Sequence, residues 1–204
     1  MPRRTKPLRV AGVVLAAGAS RRMGPGRNKM LLELEGEPLV RRAVRRALTA
    51  GLSPVVVVLG HEADRARAVL ADLPVEIALN PNFTGPTSTS LHAGLDLLGQ
   101  DVDAAVVLLG DMVHVGEAAL AELVTRACTS DAPLIVSRYG DVTAPPLLFR
   151  RALFAELVAW TGEGCGKTVV KAHSHEALYV DRGPEMLADV DTPADFQKAQ
   201  NSSS

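Results

Sequence analysis

Short apolar runs alternate along the chain with longer stretches in which apolar residues recur every three or four positions. The short runs predict strands, and several are apolar at every position, as expected where both faces of a sheet are covered. The longer stretches predict amphipathic helices. The predicted strands occupy residues 10–16, 55–59, 75–79, 104–109 and 134–136, and the predicted helices occupy residues 38–50, 62–72, 88–98 and 117–128.

The pattern becomes looser after residue 136. An apolar stretch with two prolines covers 145–149, helical patterns cover 150–160 and 167–173, and a strand-like run at 177–180 precedes a final helix from Pro193. Strands that alternate with helices predict parallel βαβ units with right-handed crossovers. The expected fold is therefore an α/β three-layer α/β/α sandwich around a mostly parallel sheet. Ligands of such sheets bind at the carboxyl ends of the strands.

The composition is that of a globular protein. The chain has 204 residues, of which 47% are hydrophobic and 22% are charged, and its formal net charge is -1. A length of this order fits one domain, which we expect over residues 10–198, with disordered tails at 1–9 and 199–204.

The charge and the residue types also exclude several classes of protein. A near-neutral chain lacks the broad basic face that a nucleic-acid partner would favour. No apolar run approaches the ~20 residues that a membrane span needs, and no signal peptide precedes Val10. The two cysteines, Cys128 and Cys165, indicate no disulfide framework. We therefore expect a cytoplasmic protein.

The stretch after the first predicted strand is rich in glycine and in positive charge. Gly18, Gly24 and Gly26 allow the backbone to approach a ligand closely. The cations of this stretch are Arg21, Arg22, Arg27 and Lys29. Amides and cations at the carboxyl end of a strand suit the phosphates of a nucleotide. The alternative interpretation is a solvated basic loop.

The sequence Leu15-Ala-Ala-Gly-Ala-Ser-Arg-Arg-Met-Gly24, followed by Lys29, resembles the opening motif of the MobA-like nucleotidyltransferases. Within that family it is most similar to the molybdenum cofactor cytidylyltransferases, which implies a Rossmann-like nucleotidyltransferase fold. Residues 25–28 form a longer spacer before the lysine than close relatives have. The residues that the resemblance assigns to nucleotide binding here are Leu15, Ala16, Ala17, Gly18, Ser20, Arg22 and Lys29, and it makes Arg22 and Lys29 catalytic as well.

Asp111 lies just past the predicted strand at 104–109. Gly110 lets the chain turn there, and a carboxylate at that edge of a sheet can meet a metal ion held by phosphates. The spacing by itself equally favours an aspartate that caps the helix beginning near Gly116. The Gly-Asp-Met-Val run matches the family's metal-binding aspartate, so the resemblance implies a catalytic and metal-binding role for Asp111.

A second acidic element is Asp189-Val-Asp-Thr-Pro-Ala-Asp195. If residues 187–191 are extended, Asp189 and Asp191 point to the same side and can share a metal ion. Asp191 or Thr192 can also cap the last helix, with Pro193 in its first turn. The element resembles the family's Asp-Ile-Asp-Thr-Pro-Glu-Asp sequence, which implies that Asp189 or Asp191 binds metal together with Asp111.

Residues 80–90 are rich in hydroxyl and amide side chains and precede a predicted helix. Such groups at a helix start can hydrogen-bond a base or an anion. Capping of the helix by Thr87 or Ser88 is the alternative. The Ser-Thr-Ser-Leu-x-Ala-Gly-Leu run resembles the family segment that lines the nucleobase pocket, which implies nucleotide binding by Ser88 and Ser90. His92 stands where relatives commonly have Arg.

Two segments depart from the family pattern in the half that would hold the acceptor substrate. Ala144-Pro-Pro-Leu-Leu-Phe149 stands where relatives have Gly-His-Pro or Gly-Asn-Pro, and Gly162-Glu-Gly-Cys-Gly-Lys-Thr168 resembles a degenerate Gly-Asp-x-Gly-Ala-Arg. The second segment is not a P-loop, because that motif needs a glycine where this chain has Thr161.

The resemblance implies a function. It implies transfer of CMP from CTP onto the phosphate of molybdenum cofactor (molybdopterin), with release of pyrophosphate. Mg²⁺ would bind Asp111 and either Asp189 or Asp191, and the preferred donor would be CTP because Ala17 stands where guanylyltransferases tend to have a second glycine.

Three rival functions remain at the level of the sequence. A related transferase would use GTP or another NTP and a different phosphorylated acceptor. A non-catalytic accessory would bind the finished cofactor and deliver it to a molybdenum hydroxylase apoenzyme. A P-loop kinase is disfavoured by the missing glycine.

Overall fold

The structure, a computed structural model, describes residues 7–24, 26–164 and 166–202. Its strands are β1 (Val10–Leu15), β2 (Glu33–Leu34), β3 (Glu37–Pro38), β4 (Val55–Leu59), β5 (Glu76–Leu79), β6 (Ala104–Leu109), β7 (Leu134–Tyr139), β8 (Val142–Arg150) and β9 (Leu178–Arg182). Its helices are α1 (Leu39–Thr49), α2 (Ala63–Ala68), α3 (Thr87–Asp96), α4 (Glu117–Thr129), α5 (Phe154–Ala159), α6 (Lys167–Ala172) and α7 (Pro193–Ser202). Short 3₁₀ turns occupy Arg21–Met23, Lys29–Leu31, Arg151–Leu153 and Pro184–Leu187.

Within the described residues, seven strands form one sheet in the order β5-β4-β1-β6-β8-β7-β9. All neighbouring pairs are parallel except those of β8, which is antiparallel to both β6 and β7. The mostly parallel sheet predicted from the sequence is therefore confirmed. After β1 the chain builds β4 and β5 on one side and then returns to place β6 on the other side. The border between β1 and β6 is thus the point where the strand order reverses, and such sheets bind ligands there.

Helices cover both faces of the sheet. Along β1, Val10 and Val14 belong to a buried cluster that includes residues of α1 and α4. Ala11 and Val13 belong to a second cluster with residues of α3, α5 and α6. The alternation follows from the geometry of a strand, in which successive side chains point to opposite faces. The three-layer sandwich is confirmed, with one core on each side of the sheet.

Some predicted boundaries hold and others are wrong. The predicted strands at 55–59 and 104–109 coincide with β4 and β6. The predicted helix at 62–72 is too long, because α2 ends at Ala68 and turns follow it. The predicted helix at 150–160 is divided, since Arg150 ends β8 and α5 begins only at Phe154.

The strand β8 is longer than the apolar stretch predicted at 145–149, and it contains two prolines. A proline cannot donate to a strand ladder and is tolerated mainly at edges and irregularities. Here the ladder between β7 and β8 shifts its register between Val136 and Arg138, opposite the part of β8 that holds Pro145 and Pro146. The prolines therefore lie where regular pairing is already interrupted.

Packed residues of the described chain lie beyond the predicted domain limits of 10 and 198. Leu8 packs against the first cluster. Helix α7 continues to Ser202, and Ala199 is buried in a third, small cluster with Leu34, Leu39 and Val190. Residues 1–6, 203 and 204 of the predicted tails lie outside the described residues.

Gly94 lets α3 lie close to the sheet. A Cβ atom at this position would be 2.5 Å from Val13 Cγ1 and 2.9 Å from Val58 Cγ2. Both valines are fully buried in the second cluster, on β1 and β4. The helix therefore lies close to β1 and β4, and the carboxyl end of β1 borders the candidate site.

We expect Gly94→Ala to destabilise the protein by about 1–3 kcal/mol, although alanine is the better helix former by about 1 kcal/mol. The added methyl group overpacks the contact with Val13 and Val58. Chemical denaturation measures the effect, and Asp96→Ala on the exposed side of the same helix is the control, with an expected change within about 0.5 kcal/mol. Equal stability of the two variants would contradict the close packing of α3.

His173 connects α5 to the turn after α6. Its Nε2 atom lies 2.8 Å from Glu156 Oε2 and its Nδ1 atom lies 3.2 Å from Glu176 Oε1. Hydrogen bonds to the two carboxylates raise the pKa of His173 above its ordinary value of 6.5. In the described residues His173 therefore contributes an ion-pair contact between α5 and the turn after α6.

We expect the contribution of His173 to stability to depend on pH. Since its pKa is higher in the folded than in the unfolded protein, the contribution is fully present below about pH 6.5 and is lost as the pH rises through the folded-state pKa. Thermal unfolding of the parent and of His173→Gln measures this. The difference between them should be larger near pH 6 than near pH 9, and a constant difference would contradict it.

Candidate active site

The glycine-rich turn after β1 and the turn after β6 meet at the border where the strand order reverses. The N–H of Gly110 donates to the carbonyl oxygen of Leu15 at 3.0 Å. A Cβ atom on Gly110 would be 2.9 Å from Met30 Sδ and 3.3 Å from Ala16 Cβ. A side chain at position 110 would press against Met30 and Ala16, so the glycine allows Asp111 to lie against the turn without displacing them.

The backbone of the glycine-rich turn has donors available for a ligand. Among the described residues, no hydrogen bond is donated by the N–H groups of residues 17–22. Arg21 and Arg27 are exposed and have no ion-pair partner in the described part of the chain. Adjacent free amides with nearby cations form an anion-binding concavity, so the turn can receive phosphate groups.

Ser20 and Asn28 hold the turn in shape. Ser20 adopts a left-handed conformation with φ of 52°, and its hydroxyl oxygen accepts a hydrogen bond from the N–H of Lys29 at 3.0 Å. The buried side chain of Asn28 accepts from the N–H of Met30 at 3.0 Å and donates to the carbonyl oxygen of His61 at 3.2 Å. Asn28 thus anchors the end of the longer spacer, and the backbone position of Lys29 is fixed.

The side chain of Lys29 joins the two acidic elements. Its ammonium donates to Asp111 Oδ2 and, at 3.0 Å, to Asp191 Oδ1. Arg22 adds a second cation, with Nη2 2.9 Å from Asp191 Oδ1. Burial by itself would lower the pKa of Lys29, but the charges and hydrogen bonds of Asp111 and Asp191 raise that pKa above its ordinary value. Two of the predicted cations, Arg22 and Lys29, therefore form one cluster with Asp111 and Asp191.

Asp189 lies close enough to this cluster to interact electrostatically with its charged groups. Burial raises the pKa of Asp189 to about 7, and the negative charges of Asp111 and Asp191 contribute to the increase. Its Oδ1 atom is buried and has no hydrogen-bond partner among the described residues. An orphaned buried carboxylate oxygen beside two other carboxylates is unfavourable without a cation, so this oxygen is suited to coordinate one.

The segment that carries Asp189 and Asp191 is fixed by the residue between them. No strand forms over 187–191, because the 3₁₀ turn Pro184–Leu187 leads into an irregular segment. Val190 is 1% exposed and packs in the third cluster against Leu34, Leu39 and Ala199. With Val190 facing this cluster, the two flanking carboxylates are left on the side of Lys29 and Asp111.

Residues other than Asp111 and Asp191 occupy the helix-capping positions near the site. Thr192 caps α7, which begins at Pro193: its Oγ1 accepts from the N–H of Asp195 at 3.3 Å, and Asp195 Oδ2 accepts from the N–H of Thr192 at 2.9 Å. The N-cap residue of α4 is Gly116, which receives no side-chain capping bond. Neither Asp191 nor Asp111 is used as a helix cap, so both remain for the cluster around Lys29.

The donor set fits a hard divalent cation. Asp111, Asp189 and Asp191 offer only carboxylate oxygens, which suit Mg²⁺ and Mn²⁺ better than softer metals. Within the described residues, however, no three such side chains are already arranged around one point. The ammonium of Lys29 contacts two of them, Asp111 and Asp191.

Leu15, Ala16 and Ala17 contribute differently from what side-chain reasoning suggests. Their relative exposures are 6%, 3% and 3%, and their side chains pack in the two cores. Only their backbone groups can reach a ligand. The methyl group of Ala17 belongs to the second core, which removes the steric reason for preferring CTP over GTP, whereas Gly18 is exposed at the turn.

The hydroxyls of Ser88 and Ser90 are engaged within the protein. Ser88 is buried and accepts from the N–H of Gly162 at 3.0 Å, and Ser90 accepts from Asn80 Nδ2 at 2.9 Å. Neither Thr87 nor Ser88 caps α3. Instead Glu163 accepts from the N–H and the hydroxyl of Thr87, at 3.2 Å and 2.6 Å.

Sequence reasoning missed Asn28 and Glu163 as residues that build this region. Asn28 stands in the spacer that departs from the family pattern, and its burial could not be read from a polar stretch. Glu163 replaces the family's aspartate in a degenerate motif, and that correspondence was the only signal. Cys165, in the same motif, lies outside the described residues.

Comparison with known proteins relates this geometry to a family. A model of the MobA-like NTP transferase domain matches residues 12–177. The bifunctional protein GlmU of Anaeromyxobacter sp. (strain K) is 39% identical over 115 residues, which are 54% of this chain and 23% of that protein. This chain therefore spans about a quarter of the length of that relative.

Solved structures agree with the fold. Rv0371c from Mycobacterium tuberculosis superposes with a TM-score of 0.84 and 26% identity, covering 96% of this chain and 100% of that one. A structure of Rv0371c in complex with manganese has a TM-score of 0.74 and 27% identity over the same shares of the two chains. No helix in the described part of our chain is long and apolar enough to span a membrane.

Proposed function

The chain belongs to the MobA-like NTP transferase domain family, and from this premise we propose that it transfers a nucleotidyl group from an NTP to a phosphorylated acceptor. The observation that carries the proposal is the meeting of the free amides after β1 with Lys29, Asp111 and Asp191. Phosphate-binding donors and metal-binding carboxylates thus face each other at the border of β1 and β6.

The proposed chemistry needs no catalytic base. An acceptor phosphate is already ionised near neutral pH, so one of its oxygens can attack the α-phosphorus without losing a proton. A new oxygen–phosphorus bond forms, the bond between the α- and β-phosphates breaks, and pyrophosphate leaves with the electron pair. The protein has to align the reactants and stabilise the developing negative charge.

We assign these tasks to the residues of the cluster. The amides of residues 17–22 bind the triphosphate, and Arg22 and Lys29 neutralise its charge. Arg22 can move to pair with the phosphates because its side chain is 70% exposed. Asp111, with Asp189 or Asp191, holds a divalent ion, for which Mg²⁺ is our proposal. When bound, that ion supplies positive charge to phosphate oxygens.

The donor and the acceptor are proposed at a finer level. We propose CTP as donor and the phosphate of molybdopterin as acceptor, on the basis of the resemblance of residues 15–24 and Lys29 to the cytidylyltransferase motif. A cytoplasmic location and a molybdenum hydroxylase apoenzyme as recipient of the product belong to the same proposal. The manganese complex of Rv0371c supports a divalent ion in this fold.

A second candidate is a transferase with GTP or another NTP and a different acceptor. It is favoured by the burial of Ala17, whose methyl group packs in the core and does not shape a base pocket. The departures at Ala144, Pro145 and Lys167 also affect the acceptor half. A non-catalytic accessory that only binds the finished cofactor is the remaining alternative.

Pyrophosphate release separates these possibilities. We expect release that depends on Mg²⁺ or Mn²⁺ and that is fastest with CTP when each NTP is tested against molybdopterin and other phosphorylated acceptors. Faster release with GTP would replace the cytidine assignment by the second candidate. Tight binding of the product dinucleotide without release from any NTP would support the accessory instead.

A further inference from the structure

The ammonium of Lys29 is held by the carboxylates that we propose as metal ligands. It contacts Asp111 Oδ2 and lies 3.0 Å from Asp191 Oδ1. The lysine side chain is 13% exposed and that of Asp111 only 6%. Part of the negative charge of the site is therefore neutralised by a cation of the chain itself.

A metal ion and this ammonium compete for the same oxygens. Mg²⁺ requires ligand oxygens at about 2.0–2.1 Å, and Lys29 already contacts one oxygen of each of the two carboxylates. Two positive charges in one place also repel each other strongly where solvent is excluded. The ion and Lys29 cannot occupy the space between Asp111 and Asp191 together.

We infer that the ammonium of Lys29 occupies the position of the metal ion between Asp111 and Asp191 when no nucleotide is bound. Binding of a nucleotide draws this ammonium away from the two carboxylates. The inference rests on the proposed nucleotidyl transfer and deepens it, because it makes nucleotide and metal bind cooperatively. Without a triphosphate the lysine keeps divalent ions from the carboxylates. With a triphosphate the ammonium pairs with phosphate oxygens, and the carboxylates become available.

The surroundings of Lys29 permit this exchange. Its backbone N–H is fixed by Ser20 Oγ at 3.0 Å, so the base of the side chain stays beside the free amides of the turn. Only the flexible four-carbon stem has to rotate, and an ammonium can direct its donors to carboxylates or to phosphates. A triphosphate on those amides would therefore lie within the region that this side chain serves.

Loss of the lysine would leave the carboxylates in need of another cation. Asp189 Oδ1 is already buried without a partner, and Arg22 contacts Asp191 from a largely exposed position. Asp111 has no other ion-pair partner than Lys29 among the described residues. A divalent ion added to such a variant can reach the oxygens of Asp111 and Asp191 without a competing ammonium.

The test is Mn²⁺ binding to the full chain without nucleotide, measured by calorimetry and by electron paramagnetic resonance. We expect Lys29→Gln to bind Mn²⁺ at least about tenfold more tightly than the parent, because a competing charge is removed. Lys171→Gln removes the same positive charge at an exposed position of α6, where the lysine has no ion-pair partner in the described chain, and should leave the affinity unchanged. Equal or weaker Mn²⁺ binding by folded Lys29→Gln would overturn the inference.

A measurement on the parent protein keeps the inference testable if that variant fails to fold. Acylation of lysine side chains, followed by mass spectrometry, should show Lys29 reacting faster when saturating Mn²⁺ is added, while the exposed Lys167 reacts at a constant rate. An unchanged rate at Lys29 counts against displacement. If Lys29→Gln binds Mn²⁺ more tightly but the parent releases no pyrophosphate from any NTP, the proposed transfer is wrong and the exchange at Lys29 is retained. If the parent releases pyrophosphate but Lys29→Gln does not bind Mn²⁺ more tightly, the transfer is retained and the exchange is wrong.

Discussion

Asp111→Asn is expected to reduce the rate of pyrophosphate release by about a thousandfold while the fold is retained. A bound divalent ion contributes several kcal/mol to stabilising charge in the transition state, and about 4 kcal/mol corresponds to three powers of ten. The neutral amide keeps the shape of the carboxylate but loses the charge that holds an ion. Lys29 remains paired with Asp191 at 3.0 Å, so the buried ammonium is not left alone.

Steady-state assays at several Mg²⁺ concentrations measure this effect, with circular dichroism as the check on folding. Asp131→Asn is a matched control, because Asp131 is exposed just before β7, at the opposite edge of the sheet. That variant should retain the parent rate. If Asp111→Asn turned over at the parent rate as well, the assignment of the ion to this carboxylate would be wrong.

Lys29→Ala is expected to weaken nucleotide binding by roughly 2–5 kcal/mol, as for the loss of one partner from other buried charge pairs. The side chain is the least exposed cation of the glycine-rich turn for which an ion pair is found. Its hydrogen bond to Ser20 uses the backbone N–H and survives the substitution, so the shape of the turn should be kept.

Calorimetric titration with a non-hydrolysable CTP analogue, at a fixed saturating metal concentration, measures this loss. Arg27→Ala provides the comparison, because its exposed charge is screened by solvent and should change the affinity by about 1 kcal/mol at most. Similar nucleotide affinities for the parent and Lys29→Ala would show that the turn does not bind the triphosphate through this lysine.

Several features of the fold depend on local sequence and could be predicted from it. The continuously apolar runs of β4 and β6 coincide with the observed strands, because burial on both faces requires apolar residues at every position. The glycine-rich turn after β1 and the start of α7 near Thr192 also follow from nearby residues, since turns and caps are formed by contacts a few positions apart. The resemblance to the MobA-like family rested on several such local stretches, among them residues 15–24, and the family model confirms it.

The tertiary structure decided what brings distant positions together. Lys29 meets Asp111 across 82 positions and Asp191 across 162, which no periodicity reports. The burial of Ala17, the anchoring of Val190 and the cap that Glu163 provides for Thr87 likewise depend on which surfaces pack against each other. The sequence by itself determined which residue types stand at the strand ends, because strand propensity and the alternation of side chains depend on neighbouring positions. Only the packing of distant segments places an ammonium between two of the carboxylates, because several independent contacts together fix its position.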